Sequence, residues 1–127
     1  MNAAPSGRER RLRALRRGRR GEWICRWHLR LRGWRIIAVD WRCPSGEIDI
    51  LARRGAVLAA IEVKARDDLA RAGEAVLWRQ RRRVSRAAMT FLLQRPDLAH
   101  LGLRFDAMLI VPGRLPLHLP DAWRLDT

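Results

Sequence analysis

Three acids and a lysine, Glu47, Asp49, Glu62 and Lys64, fall within what otherwise reads as an apolar hairpin, GEIDILARRGAVLAAIEVKAR, over residues 46–66. The chain has 27 Lys+Arg residues, and Lys64 is its only lysine, so the other 26 are arginines. A guanidinium stays protonated under ordinary conditions, whereas an ammonium can lose its proton when its surroundings lower its pKa. A composition that uses arginine nearly everywhere departs from it only beside these acids. Strand side chains alternate faces, so Glu47 and Asp49 point away from Ile48 and Ile50, and Glu62 and Lys64 point away from Ile61 and Val63. A turn centred on Arg54-Gly55 pairs Ala60 with Asp49 and Glu62 with Glu47. Asp49 and Glu62 then become diagonal neighbours about 7–8 Å apart. Three carboxylates on one patch raise one another's pKa unless a cation neutralises them. Lys64 supplies one charge, and Mg2+ or Mn2+, hard ions that prefer carboxylate and carbonyl oxygens, would supply the remainder. An ordinary sheet face with a Glu-Lys pair satisfies the same spacing.

The elements that must hold these residues follow from periodicity. Trp23, Ile24, Trp27 and Leu31 recur at helical spacing and Gly33 is placed to end that helix. Glu22 falls in its first turn, where a carboxylate favours the helix dipole, and His28 lies beside the apolar stripe without an assigned role. WRIIAVD (34–40), IDILA (48–52) and AVLAAIEVK (56–64) read as three strands with a Pro-Ser-Gly turn at 44–46. A polar loop, ARDDLARAG (65–73), precedes a long helix over 74–94, with Val76, Val84, Ala87, Ala88 and Phe91 on one side and Pro96-Asp97 closing it. LRFDAMLIV (103–111) is a fourth strand, and LPLHL is a short edge strand after the Pro112-Gly113 turn. The order α-β-β-β-α-β predicts an α/β fold, a mixed sheet flanked by helices.

With 127 residues and 48% hydrophobic content, the chain suits one domain, taken as 18–127, preceded by a disordered basic arm over 1–17. Eight arginines lie within residues 1–20. A formal net charge of +14 draws in polyanions, which makes nucleic acid the expected partner and an anionic membrane surface the weaker choice. No apolar run is long enough to span a membrane, and the N-terminus lacks the apolar core of a secretory signal, so a cytoplasmic protein is expected. Cys25 and Cys43 are too few and too widely spaced for a zinc site and are read as reduced structural thiols. Arg79, Arg81, Arg82 and Arg83 form a basic helix face suited to a phosphate track, although solvation is the usual fate of such runs.

The residues together carry a resemblance. Asp49 followed by Glu62-Val63-Lys64 after a β-turn resembles the PD-(D/E)xK nuclease core. Gly46-Glu47-Ile48-Asp49, Glu62-Val63-Lys64-Ala65-Arg66 and Arg104-Phe105-Asp106, in that order, resemble the bacterial YraN family, which is similar in fold to archaeal Holliday-junction resolvases. The resemblance runs from about Gly18 to Val111 and implies a restriction-endonuclease-like core. It implies a metal held by Asp49 and Glu62 with the Val63 carbonyl, Lys64 orienting or deprotonating the attacking water, and Glu22 completing the site. The implied activity is metal-dependent phosphodiester hydrolysis, with DNA, branched or at a junction, as the substrate, and a homodimer is what resolvase activity would suggest. Arg66, Arg79, Arg82 and Arg83 would contact phosphates. Gln80 departs from the family, which has a lysine in that helix; it leaves open a role near the active face or a polar residue at the stripe's edge. The alternative is a non-catalytic nucleic-acid-binding module that keeps the nuclease fold.

Overall fold

The computed structural model describes residues 21–65 and 78–124, with side chains in the second stretch described from residue 81. Helix α1 (described over 21–31) is followed by strands β1 (Arg35–Cys43), β2 (Gly46–Arg54) and β3 (Val57–Ala65). Helix α2 (Trp78–Gln94), a 3-10 turn (Pro96–Leu98), β4 (Gly102–Ile110) and β5 (Leu117–Trp123) complete the described chain. The five strands form one mixed sheet in the order β1-β2-β3-β4-β5. Only β3 and β4 pair in parallel, across the connection that contains α2. A parallel pair needs such a crossover, whereas the tight turns of the β1-β2-β3 meander permit only antiparallel neighbours.

The sheet is covered on both faces. Val84, Ala87, Ala88 and Phe91 of α2 pack with Ile48, Leu51, Leu58, Ala60, Phe105 and Ala107. On the other face Cys25 and Leu29 of α1 pack with Ile50, Ala52, Ala59, Ile61 and Met108. This three-layer α/β arrangement, with a five-strand mixed sheet, is a restriction-endonuclease-like architecture. The expected α2 stripe is buried as read from Val84 to Phe91, while Val76 lies outside the described residues.

For α1 the expected stripe is reversed. Trp23, Ile24, Trp27 and Leu31 face outward, and the buried line is Gly21, Cys25 and Leu29. Both sets recur every turn, so spacing alone does not choose between them. Side-chain size does: the Gly21 backbone lies against Ile110 and Val63, where a Cβ would make ordinary contact 3.5 Å from Ile110 Cγ1 and an indole would not fit. Gly21 and Cys25 let this end of α1 settle on the sheet with Leu29 filling the core beyond them, and indoles in that line would hold the helix off. The helix ends as expected at Gly33, in the left-handed conformation at φ 86°. Trp34 N–H donates to the Leu29 carbonyl at 3.0 Å and Gly33 N–H to the Arg30 carbonyl at 3.1 Å, a Schellman ending.

Candidate active site

The β2-β3 turn lies on Gly55-Ala56, one residue later than expected, because Gly55 takes the left-handed φ of 59° that the turn requires. Arg54 then pairs with Val57 and Ile50 with Ile61, and continuing that register by one residue sets Asp49 opposite Glu62 rather than diagonal to it. The ladder stops there. Instead of a backbone partner, the Val63 N–H donates to Asp49 Oδ2 at 2.8 Å. Side-chain alternation also slips at this point: Ile48 and Leu51 pack towards α2, but Ile50 and Ala52 pack towards α1.

The four charged residues therefore do not share one sheet face. Ile61 and Val63 pack on the α1 side, so alternation turns Glu62 and Lys64 towards α2. They meet Asp49 because the strands part at this end of the sheet, opening a pocket of about 180 Å3 lined by Glu22, Glu47, Asp49, Glu62, Val63, Lys64, Ala65, Arg83 and Val84. Gly46 permits α2 to form its wall: a Cβ at this position would overlap the Arg83 backbone carbonyl.

Reading the sequence missed one acid. Asp40 of β1 lies between the pairs Val39–Ile50 and Trp41–Ile48, so it stands across from Asp49. It adopts a left-handed φ of 48°, which is uncommon for any residue except glycine and tolerated best by Asn and Asp. Carboxylate oxygens of Glu22, Asp40 and Asp49 all lie within 4.8 Å of one another. An acid in a short β-branched run was the only signal, and its relevance depended on a register that the residues alone do not fix.

Crowding governs the electrostatics. Burial, repulsion from Glu62 and Glu22, and a hydrogen bond with Glu62 push Asp49 up to about 8, against the partial relief of the Val63 N–H. Glu22 is pushed up to about 7 by burial and by Asp40, with Arg26 and Arg42 opposing. Glu62, 7% exposed, is paired with Lys64 at 2.9 Å. An all-oxygen donor set with excess negative charge fits a hard divalent cation such as Mg2+ or Mn2+. Among the described residues Glu22, Asp40 and Asp49 bring their carboxylate oxygens together, while Glu62 interacts with Asp49 and pairs with Lys64, so the expected Asp49 and Glu62 lie at the same centre.

Of the expected phosphate contacts, Arg83 lines the pocket and Arg82 is exposed on the same helix. Arg66 and the side chains of Arg79 and Gln80 lie outside the described residues. Cys25 is buried and its thiol is pushed up to about 12 by burial and the nearby acids, consistent with an unreactive structural residue.

Away from the pocket, Asp106 is fully buried in β4 and accepts from four donors. Arg104 Nε and an Arg104 terminal nitrogen reach it at 2.8 and 2.9 Å, and the Asp121 N–H reaches it at 2.9 Å. His118 Nε2 lies at 2.7 Å. The Arg104-Phe105-Asp106 motif thus fastens edge strand β5 to β4.

A family model described as "Uncharacterised protein family UPF0102" matches residues 21–110. The chain belongs to this family. It is the YraN family, which the three motifs resembled. A UPF0102 protein of Paramagnetospirillum magneticum is 45% identical over 130 residues, covering 99% of this chain and 100% of that protein. UPF0102 proteins of Parvibaculum lavamentivorans and of a Chelativorans species are 51% and 46% identical over 113 residues, each covering 89% of this chain. They cover 85% and 91% of those relatives, respectively. Glu22, Asp40, Asp49, Glu62, Lys64 and Asp106 all lie within the matched UPF0102 segment. Among the described residues no helix is long and apolar enough to cross a membrane.

Proposed function

We propose that this UPF0102 protein is a divalent-metal-dependent nuclease that hydrolyses phosphodiester bonds in DNA. The observation that carries the reading is the convergence, where the β2-β3 ladder ends, of crowded acids with the chain's one lysine. A polyanion binder gains nothing from acids in its groove, so their concentration inside a chain of net charge +14 favours cation-assisted chemistry. Glu22, Asp40 and Asp49 would hold Mg2+ or Mn2+, with Glu62 adjoining. When bound there, the cation supplies Lewis-acid polarisation of a phosphate oxygen and offsets charge that develops in the transition state.

The chain's own groups do the rest. Glu62 fixes the Lys64 ammonium at 2.9 Å, where it orients the attacking water or stabilises charge developing on the phosphate. The Val63 N–H holds Asp49 in place. Arg83 at the pocket wall, with Arg82 on the same helix, positions the backbone without reading bases. Water attacks phosphorus and releases a proton to solvent as the new P–O bond forms, the bond to the leaving oxygen breaks, and that oxygen takes up a proton from solvent.

Incubation of branched, flapped and linear DNA with Mg2+ or Mn2+ tests this. Wild type should cut at least one of these, and Asp49→Ala and Lys64→Ala should each lose about 100-fold or more. Cutting that persists unchanged in both variants, or tight binding with no cutting under any condition, would overturn it; the latter result is that of a binding module.

A further inference from the structure

The outward face of α1 displays Trp23, Ile24, Trp27 and Leu31 at 56%, 40%, 47% and 81% exposure. Contiguous apolar surface of this kind marks a binding site. The Trp23 and Trp27 ring centroids are 6.1 Å apart at an interplanar angle of 71°, and Arg30 lies over the Trp27 ring at 5.7 Å. Three arginines, Arg26, Arg30 and Arg32, and no acid lie between residues 23 and 32. Trp23 directly follows Glu22, whose carboxylate enters the acid pocket, so this face begins at the pocket's rim.

We propose that the Trp23–Trp27 face is a stacking platform for unpaired bases, and that the substrate carries a single-stranded segment beside the bond presented to the acids. The inference deepens the nuclease reading and rests on it for the strand's destination. Indoles offer π-faces to any base, and interleaved arginines follow the backbone, the combination that binds single strands without sequence preference. In duplex DNA the same base faces are already stacked on one another. A second copy of this chain is the less favoured occupant, since it would bring Arg26, Arg30 and Arg32 against their own counterparts. Trp23 and Trp27 are four residues, about 6 Å, apart along the helix axis, so one strand can meet both.

The test measures binding of labelled oligo(dT) and of a duplex of equal length to the full chain in EDTA, where cutting plays no part. Trp23→Ala/Trp27→Ala should weaken single-strand affinity at least tenfold and change duplex affinity by less than about threefold. Equal losses for both substrates, or unchanged single-strand affinity, would overturn the platform. So would conversion of a dimer to a monomer in sedimentation with single-strand affinity retained, which would assign the face to a second copy. If circular dichroism shows the alanine variant unfolded, Trp23→Phe/Trp27→Phe decides: oligo(dT) should quench wild-type indole emission, and the quenching should vanish in the phenylalanine variant. Persistent quenching overturns the proposal. A protein that never cuts but shows the single-strand loss removes the nuclease reading alone; one that cuts normally while the tryptophan variants bind normally removes the platform alone.

Discussion

Asp49 is an acid packed beside other acids, and its cost can be read as a function of pH. Its carboxyl lies at about 8 in the fold against an ordinary value of 3.8, and Glu22 lies at about 7 against 4.5. Both values are raised, so the folded chain binds protons that the unfolded chain has released. In EDTA, stability is therefore full at the acid end of this window and falls as pH rises from about 4 to about 8. Thermal melts should show Tm falling by several degrees across that range, with the slope reduced in Asp49→Asn and Mn2+ restoring the wild-type Tm at the alkaline end. A slope that is the same in Asp49→Asn would contradict the assignment. Asp106 behaves in the opposite sense. Burial pushes it up, but the donors from His118, Arg104 and the Asp121 backbone outweigh burial and hold it below its ordinary value. Asp106→Asn should cost roughly 3–5 kcal/mol in denaturant unfolding by taking the buried carboxylate from Arg104, His118 and the Asp121 N–H, without changing Mn2+ affinity. The Arg104–Asp106 pairing was available from the motif, but His118 and the Asp121 N–H, brought in by β5, were not.

At the scale of elements, the decisive feature is the point where β2 and β3 cease to pair. Period-2 alternation located the strands and identified Glu47, Asp49, Glu62 and Lys64 as their charged members. Alternation run on from the Ile50–Ile61 pair would turn both Asp49 and Glu62 towards α2, away from Glu22 on α1. Asp49 reaches Glu22 and Asp40 as well because the ladder ends at Ile50–Ile61 and the alternation slips beside it. Neither event leaves a mark in residue types, since Ile48, Ile50 and Leu51 are equally apolar. The α1 stripe shows the same limit, with two apolar lines at one spacing and the line of Gly21, Cys25 and Leu29 the one that fits against the sheet. Gly46 sets the position of the opposite wall. Gly46→Ala would push α2 away from the pocket, costing roughly 1–3 kcal/mol or more and lowering Mn2+ affinity measured by titration calorimetry. A variant with wild-type stability would show that the helix can shift freely there.

Across the whole molecule, charge and site are arranged in opposition: a strongly basic exterior surrounds a pocket whose own balance is acidic. Composition made the basic exterior legible, and the motif order made the fold family legible. Asp40 and the outward tryptophans required three-dimensional placement, because both depend on which side of a neighbour a side chain falls. The composition also leaves the chain with very few amines. Lys64, its side chain 13% exposed and tied to Glu62, is the only side-chain amine in the sequence, so an amine-selective acylating reagent has just two amines to modify, this residue and the N-terminal amine. Mass spectrometry after mild acetylation should therefore report pocket occupancy directly. Modification of Lys64 should slow when Mn2+ and an oligonucleotide are both present, while the N-terminal amine serves as an internal clock in the same molecule.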